Sequence, residues 1–415
     1  MPDPATIAVP RPRAPLAFWL VLLAAGGMFA VTMGARQSMG LFLSSINTST
    51  GLGLASISLA FAFGQLWWGL TQPFAGLIAD RVGAGRVLVT GVVLVAIGTA
   101  LIPYMTTTAG LVFAIGVLAA GGAGMAGPAV LMSAATRLVA PERRGMATGL
   151  VNAGGSFGQF LFAPIAQVIS SAAGWAVAVQ SLAFITLLAL PAAWVLRGNS
   201  NHAGAVAATK PESTGQILRR ALGDRSYRFL CAGFFVCGFH VAFIATHLPG
   251  VVAACQLPPA VGAWALGIVG LFNIIGSFGI GWAVGRWRMK SLLSLIYAAR
   301  AVAVLLFLLS PKTEAVVLVF AAVIGLTYLS TVPPTAGLVA KMFGPAHMAM
   351  LFGVVMLTHQ LGGFLGAYFG GKAFEWTGSY DWMWYADIVL AVGAALVNLP
   401  IREAAPPRRA VAAAA

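Results

Sequence analysis

The sequence predicts an all-α membrane protein of twelve transmembrane helices in two pseudo-symmetric six-helix bundles. Three observations predict it: a composition too apolar for water, twelve apolar runs long enough to cross a bilayer, and a one-sided distribution of lysine and arginine. Of 415 residues, 60% are hydrophobic and 8% charged, against roughly 25% charged in a soluble domain. A soluble fold of this size could not cover its surface with so few charges, and disorder is excluded by the same composition. The alternating short strands of an outer-membrane barrel are missing.

The apolar runs fall near 17–45, 55–79, 86–105, 110–136, 145–170, 175–196, 228–250, 259–284, 291–310, 315–339, 349–371 and 383–400. About 20 apolar residues suffice for one crossing. The longest polar stretch, 197–228, holds both signs of charge and divides the chain into halves. The organisation is therefore a tail (1–16), a six-helix bundle (17–197), a linker (198–227), a second six-helix bundle (228–401) and a tail (402–415). The proline-rich 1–16 stretch leads into an apolar run without a clear small-residue cleavage site, as in a retained tail.

Lys and Arg are retained on the cytoplasmic side of a membrane. With both termini cytoplasmic, 20 of the 24 basic residues lie inside, only Lys312 and Lys372 fall outside, and Arg36 and Arg300 lie within apolar runs. A segment count wrong by one would scramble that split. It assigns the chain to a bacterial-type inner (plasma) membrane as a multi-pass protein in contact with the lipid bilayer. It also explains the net charge of +14 by topology, so no nucleic-acid partner is expected. Cys231, Cys237 and Cys255 make no metal or disulfide spacing. Gly122-x-Gly124-x-x-Gly127 lies inside an apolar run with no strand before it, so it is helix packing rather than a nucleotide fingerprint. With no P-loop, no metal-ligand spacing and no catalytic constellation, neither a cofactor nor an enzyme is expected. The protein is expected to function as a monomer.

The halves repeat. Gly76-Leu77-Ile78-Ala79-Asp80-Arg81 and Gly281-Trp282-Ala283-Val284-Gly285-Arg286 end corresponding segments; Met146 to Gly149 and Met350 to Gly353 open corresponding ones; Arg137 matches Lys341. Parallel six-helix repeats put a site at their interface near the bilayer midplane.

Between the second and third segments, Gly76-x-x-x-Asp80-Arg81-x-Gly83-x-x-Arg86 resembles the cytoplasmic loop signature of the major facilitator superfamily, with a weaker copy from Gly281 to Lys290. The resemblance covers nearly the whole chain and implies the major facilitator fold and alternating access. Gly76 would let two helices approach closely, and Asp80, Arg81, Gly83 and Arg86 would form a gating loop with Arg143, Arg144 and Arg286. In the second copy Gly285 stands where the acid would be. Arg143-Arg144-Gly145-Met146-Ala147-Thr148-Gly149 followed by Ala153 to Gly158 is similar to the fifth-helix signature of the monocarboxylate-porter branch. That resemblance implies a cation in the outer part of helix one, a position that Arg36 or its neighbour Gln37 matches. It also brings a departure: the Asp and Arg carried on helix eight by animal members correspond here to Asn273 and Ser277.

Arg36 lies roughly 27 Å beyond Phe18 at about 1.5 Å per residue. A charge in hydrocarbon costs at least about 2.5–3.5 kcal/mol and should face protein or water. It could snorkel outward, or hold an anionic substrate. The repeat maps Arg36 onto His240 and Gly34 onto Gly238, so Arg36 and His240 are expected to form two walls of one cavity. His359 and Gln360 fall midway along the eleventh segment, and His247 stands nearer the outer surface. Gln159, Asn273, Tyr328 and Thr331 are further polar candidates of plausible depth. Arg300, on a peripheral helix, is expected to be structural, and Asp387 to lie near the outer end of helix twelve, poorly placed for coupling. Pro333-Pro334 should bend helix ten.

These residues imply secondary transport of a small organic anion, most simply a monocarboxylate. Arg36 and Gln37 would bind it with His240, His359, Gln360, Gln159, Asn273 and Tyr328, and His240 or His359 would carry a symported proton. The alternatives are a proton-coupled drug or metabolite exporter of the same fold, which would need buried acids, and a non-transporting membrane sensor.

Overall fold

The computed structural model describes residues 15–139, 143–197 and 214–403; the side chains of 15–17, 80, 144, 145, 214 and 345–349 lie outside that description. Among the described residues the chain is helical throughout, with no strand. Ten helices are long and apolar enough to cross a membrane. They are helices 1 (Phe18–Thr50), 2 (Leu54–Ala79), 3 (Ala84–Tyr104), 4 (Thr108–Leu138), 6 (Trp175–Leu196), 7 (Arg225–Ala254), 8 (Pro259–Val284), 9 (Met289–Leu309), 10 (Glu314–Phe343) and 11 (Met350–Thr377). Helix 5 (Arg144–Ala173) and helix 12 (Asp381–Asn398) occupy the remaining two places in the expected order. Helix 5 is less apolar because Gly154, Gly155, Gly158 and Gln159 face other helices, and helix 12 carries Asp381 and Asp387.

Local chemistry sets the ends and breaks. The Thr107, Asp224 and Thr313 side chains cap the starts of helices 4, 7 and 10, accepting from backbone N–H groups that lack an intrahelical partner. Gly83 turns the chain from helix 2 into helix 3 at φ +94°, a backbone conformation that a Cβ would oppose. Helix 10 is interrupted between Glu314–Thr327 and Val332–Phe343. Pro333 and Pro334 have no N–H to return to the preceding turn, so the predicted bend is a break. The polar 198–227 linker holds a helix at Thr214–Gly223 whose Ile217 and Ala221 are buried against the second half.

The repeat is visible in the packing. Helix 5 crosses helix 1 so closely that a Cβ on Gly158 would collide with the Ala30 carbonyl; 204 positions later, a Cβ on Gly362 would collide with the Phe235 carbonyl, where helix 11 crosses helix 7. Between halves, helix 2 meets helix 11 through Gly53 and Glu375, Ser58 and Gly371, Gln65 and Gly363, and Gly69 and Gln360. Helix 5 meets helix 8 through Phe160 and Gly267 and through Ser156 and Gly270, and Gly40 of helix 1 abuts Ala245 of helix 7. Beyond these contacts Gly76, Gly149, Gly279 and Gly353 meet nothing within 4 Å. The close glycine contacts between the halves thus start at the end bearing Gly53 and Glu375 and are not continued by Gly76, Gly149, Gly279 or Gly353 toward the basic end. Gly76 therefore does not bring two helices together as the sequence led us to expect. It borders a cleft within the first half, between helices 2 and 4, with Ala79, Ser133 and Arg137.

Candidate functional site

Helix 1 changes to a tight 3-10 turn at Ser38–Phe42, immediately after Arg36 and Gln37. The Arg36 guanidinium donates to Gln65 Oε1 of helix 2 and lies 4.8 Å from the ring centre of Trp68, one turn further on. Among the described residues no carboxylate pairs with it. A narrow cavity at this level is lined by Arg36, Gln37, Phe61, Gln65, Thr99 and Thr246. Gln37 is buried, with Tyr328 of helix 10 beside it, and the Tyr328 hydroxyl donates to the Val241 carbonyl at 2.9 Å. Gln360 of helix 11 is buried against Gly69, next to Trp68. The Trp68 Nε1 and Gln360 Nε2 donors carry no hydrogen bond, so both are free to meet an acceptor. Arg36, Gln37, Tyr328 and Gln360 are therefore gathered where the halves meet. Gln65 and Trp68 are additions that sequence reasoning missed; the signal was a glutamine in the otherwise apolar run Phe61 to Leu70.

His240 is not in this cluster. Its Nδ1 lies 3.2 Å from Arg300 of helix 9 and its Nε2 lies 3.1 Å from the Asp387 carbonyl oxygen of helix 12. The Asp387 carboxylate is 3.4 Å from the same Nε2. His240 and Arg36 occupy equivalent chain positions but turn to different neighbours, Arg36 to helix 2 and His240 to helices 9 and 12. The expected pairing of the two across one cavity is corrected accordingly: Ala245 and Thr246 are what helix 7 contributes to the Arg36 cavity. The physical reason is Arg300. A buried guanidinium needs acceptors, and the imidazole nitrogen is one. Arg300 also donates to the carbonyls of Thr327 and, at 3.0 Å, Tyr328, which the break in helix 10 leaves without N–H partners. Asp387 is likewise corrected: it sits 2% exposed beside mid-helix 7, not at an outer edge.

The other candidates divide. His247 is buried between helices 7 and 11, its Nε2 2.7 Å from the Ala367 carbonyl, a packing role. Gln159 donates to the Leu266 carbonyl at 3.2 Å. Asn273 donates to Ser156 Oγ at 2.8 Å and accepts from the Leu329 N–H at 3.0 Å. Both tie the two halves together between helices 5 and 8 rather than line the Arg36 cavity. His359 is buried against Phe234, ring centres 5.0 Å apart, and neither ring nitrogen is hydrogen-bonded. Thr331 lies 3.1 Å from Cys237 Sγ.

At the basic end Arg81 and Arg86 are exposed. Arg143 stands 4.9 Å from the Phe18 ring centre and Arg286 3.8 Å from that of Trp282. The Asp80 and Arg144 side chains lie outside the described residues. In the second half an acid from beyond helix 12 lies near the corresponding loop: Glu403 accepts from the Lys290 backbone N–H at 2.8 Å and pairs with Lys341 at 3.3 Å.

Membrane-length helices from both halves of the chain meet around a buried cation, Arg36, and comparison with known proteins places the chain in a family of membrane transporters. The model of the Major Facilitator Superfamily matches residues 18–367 and 230–414. The chain belongs to the Major Facilitator Superfamily. It is 24% identical to the uncharacterized MFS-type transporter YcxA of Bacillus subtilis, covering 87% of this chain and 90% of that one. It is 24% identical to monocarboxylate transporter 13 of Rattus norvegicus, covering 92% and 89%. It is also 24% identical to the oxalate:formate antiporter of Oxalobacter formigenes, covering 70% and 68%. Among solved structures, the fold is similar to a mutant of the nucleoside transporter NupG, with TM-score 0.76, 14% identity and coverage of 93% and 99%. It is also similar to a bacterial homolog of the lysosomal transporter Spinster in an inward-facing, occupied conformation, with TM-score 0.73, 14% identity and coverage of 91% and 95%.

Proposed function

We propose that this multi-pass membrane protein carries a small organic anion, a monocarboxylate, across a bacterial inner membrane by alternating access, with both termini in the cytoplasm. One observation carries the reading: Arg36 lies at the meeting of the halves over Trp68, with no carboxylate partner among the described residues. A membrane-buried cation without a counter-ion is costly and suited to receive a ligand's negative charge. The planar guanidinium matches the two oxygens of a carboxylate. Trp68 Nε1 and Gln360 Nε2 supply further donors, and the apolar Phe61 suits a short hydrocarbon portion. Relatives named for monocarboxylates and for oxalate and formate support the same class. The basic end, where the glycine contacts between the halves are not continued, is cytoplasmic in this reading, which supports an inward-facing arrangement. A proton moving with the anion would make monocarboxylate uptake electroneutral. The test is uptake of labelled formate, acetate, L-lactate and pyruvate into proteoliposomes, with and without an inward proton gradient. Accumulation of at least one of them is expected. Transport of organic cations and none of these anions would overturn the reading in favour of an exporter.

A further inference from the structure

Three buried ionisable residues from three helices meet in the second half, away from the Arg36 cavity: Arg300 of helix 9, His240 of helix 7 and Asp387 of helix 12, none more than 4% exposed. Their geometry fixes where the protons are. A guanidinium only donates, so the His240 Nδ1, 3.2 Å from Arg300, must be the bare acceptor. The ring proton is then on Nε2, directed at Asp387, whose carbonyl oxygen is 3.1 Å away and whose carboxylate Oδ1 is 3.4 Å away. In this arrangement His240 cannot take a second proton without expelling Arg300. The basic atoms left to a proton are those of the Asp387 carboxylate, and its Oδ1 has no hydrogen bond.

We infer that Asp387 is the proton-binding group of the transport cycle, held by His240 and Arg300 and linked through the break in helix 10 to the anion at Arg36. This rests on the reading of Arg36 as the anion site. With Asp387 ionised, it and Arg300 cancel. One proton from water, forming an O–H bond on Asp387, leaves the Arg300 charge uncancelled. An incoming carboxylate then meets two cations, Arg36 and Arg300, and no buried anion. Proton and anion favour each other's binding, which is symport with zero net charge moved. The connection is contiguous. Arg300 holds the Thr327 and Tyr328 carbonyls at the interruption of helix 10, and the Tyr328 side chain stands beside Gln37 and bonds helix 7 at Val241. The titratable and charged groups around His240 are few. Helix 9 contributes Arg300 and Tyr297, whose ring centre is 5.5 Å from the guanidinium. Helix 10 contributes Tyr328 and helix 12 contributes Asp387. On its own helix stands Cys237, with His359 of helix 11 beside that thiol. Asp387 is the acid among them.

Purified full-length protein tests this directly. Formate, acetate, L-lactate and pyruvate are titrated into weakly buffered protein while a pH indicator records proton uptake. About one proton per bound anion is expected, with wild-type affinity falling about tenfold per pH unit once Asp387 ionises, the slope of a one-proton linkage. Asp387→Asn, a fixed mimic of the protonated acid, should bind the anion at a pH-independent affinity and take up no proton. In proteoliposomes it should keep anion exchange and lose accumulation driven by a pH gradient. His240→Gln, whose amide can accept from Arg300 and donate to Asp387, should keep proton uptake. Anion binding by wild type with no proton uptake at any pH across the titration overturns the inference alone. So does gradient-driven accumulation by Asp387→Asn, or loss of proton uptake in His359→Gln or His240→Gln with Asp387→Asn unaffected. Absence of any carboxylate binding overturns the anion reading itself.

Discussion

Replacing Arg36 by Gln separates a ligand-binding cation from a structural one, because the first role predicts lost affinity at nearly unchanged stability and the second predicts lost stability at unchanged affinity. In the folded protein Arg36 has one hydrogen bond, to Gln65, and one ring contact, 4.8 Å to Trp68. Losing a hydrogen bond of that kind costs about 1.5–3 kcal/mol, and losing the ring contact about 0.5–2 kcal/mol. Against this, removing a charge from the membrane interior recovers at least about 2.5–3.5 kcal/mol. The terms nearly cancel, so Arg36→Gln should melt in detergent within a few degrees of wild type. Anion binding has no such offset. The lost charge-assisted bond of about 1.5–3 kcal/mol corresponds to roughly ten- to hundredfold weaker binding at about 1.4 kcal/mol per decade. The loss should be the same at every pH, because guanidinium does not titrate in this range. Arg36→Lys keeps the charge without the planar fork and should fall between. The assay is carboxylate binding by calorimetry or tryptophan fluorescence, paired with a melting curve. Unchanged affinity in a folded variant, or unfolding with no change in binding before it, would refute the reasoning and leave Arg36 a packing residue.

Cys255 reports orientation. Burial pushes its thiol up, against the nearby Lys312 and with Asp381, and only the thiolate reacts. In a Cys231→Ser, Cys237→Ser background, a membrane-impermeant maleimide should label it from the periplasmic side, slowly at neutral pH and faster as pH rises; labelling only from the cytoplasmic side would invert the topology. Glu403→Gln should alter turnover by no more than about fivefold and leave affinity unchanged, since a partly exposed ion pair such as that with Lys341 contributes about 0.2–1 kcal/mol; proteoliposome kinetics measure it. Gly362→Leu should destabilise by more than about 1–3 kcal/mol, because its Cβ meets the Phe235 backbone and backbone cannot step aside. Gly353→Leu, where nothing lies within 4 Å, should melt like wild type, and equal loss in both would sink the close-crossing argument.

The segments, their order, their orientation signal and the repeat of the halves were legible in the chain because each is written locally. Hydropathy over about 20 residues registers the solvent of each stretch, and basic residues register its flanks. Gly158 and Gly362 could be matched by position before any packing was seen. The break in helix 10 followed from Pro333 and Pro334, whose missing N–H groups act within one turn. Arg36, Gln37, Tyr328 and Gln360 were each legible as polar residues in apolar runs, and it is the packing that brings them together.

What could not be read was direction around a helix axis. Helix 7 is buried on nearly every side, so its apolar pattern has no period that marks one face. His240 could face the interface or its own bundle, and only the packed neighbours decide. The presence of Arg300, which needed an acceptor, and of Asp387, which needed a donor, turned it inward. Those partners lie 60 and 147 positions away, and no local rule connects them. Nor does one connect Glu403 with Lys341, an ion pair between residues 62 positions apart. Charge near the membrane edge was determined by the sequence alone. Charge inside it was decided by tertiary structure, because a buried ion is stable only with the particular donors and acceptors that other helices bring to it.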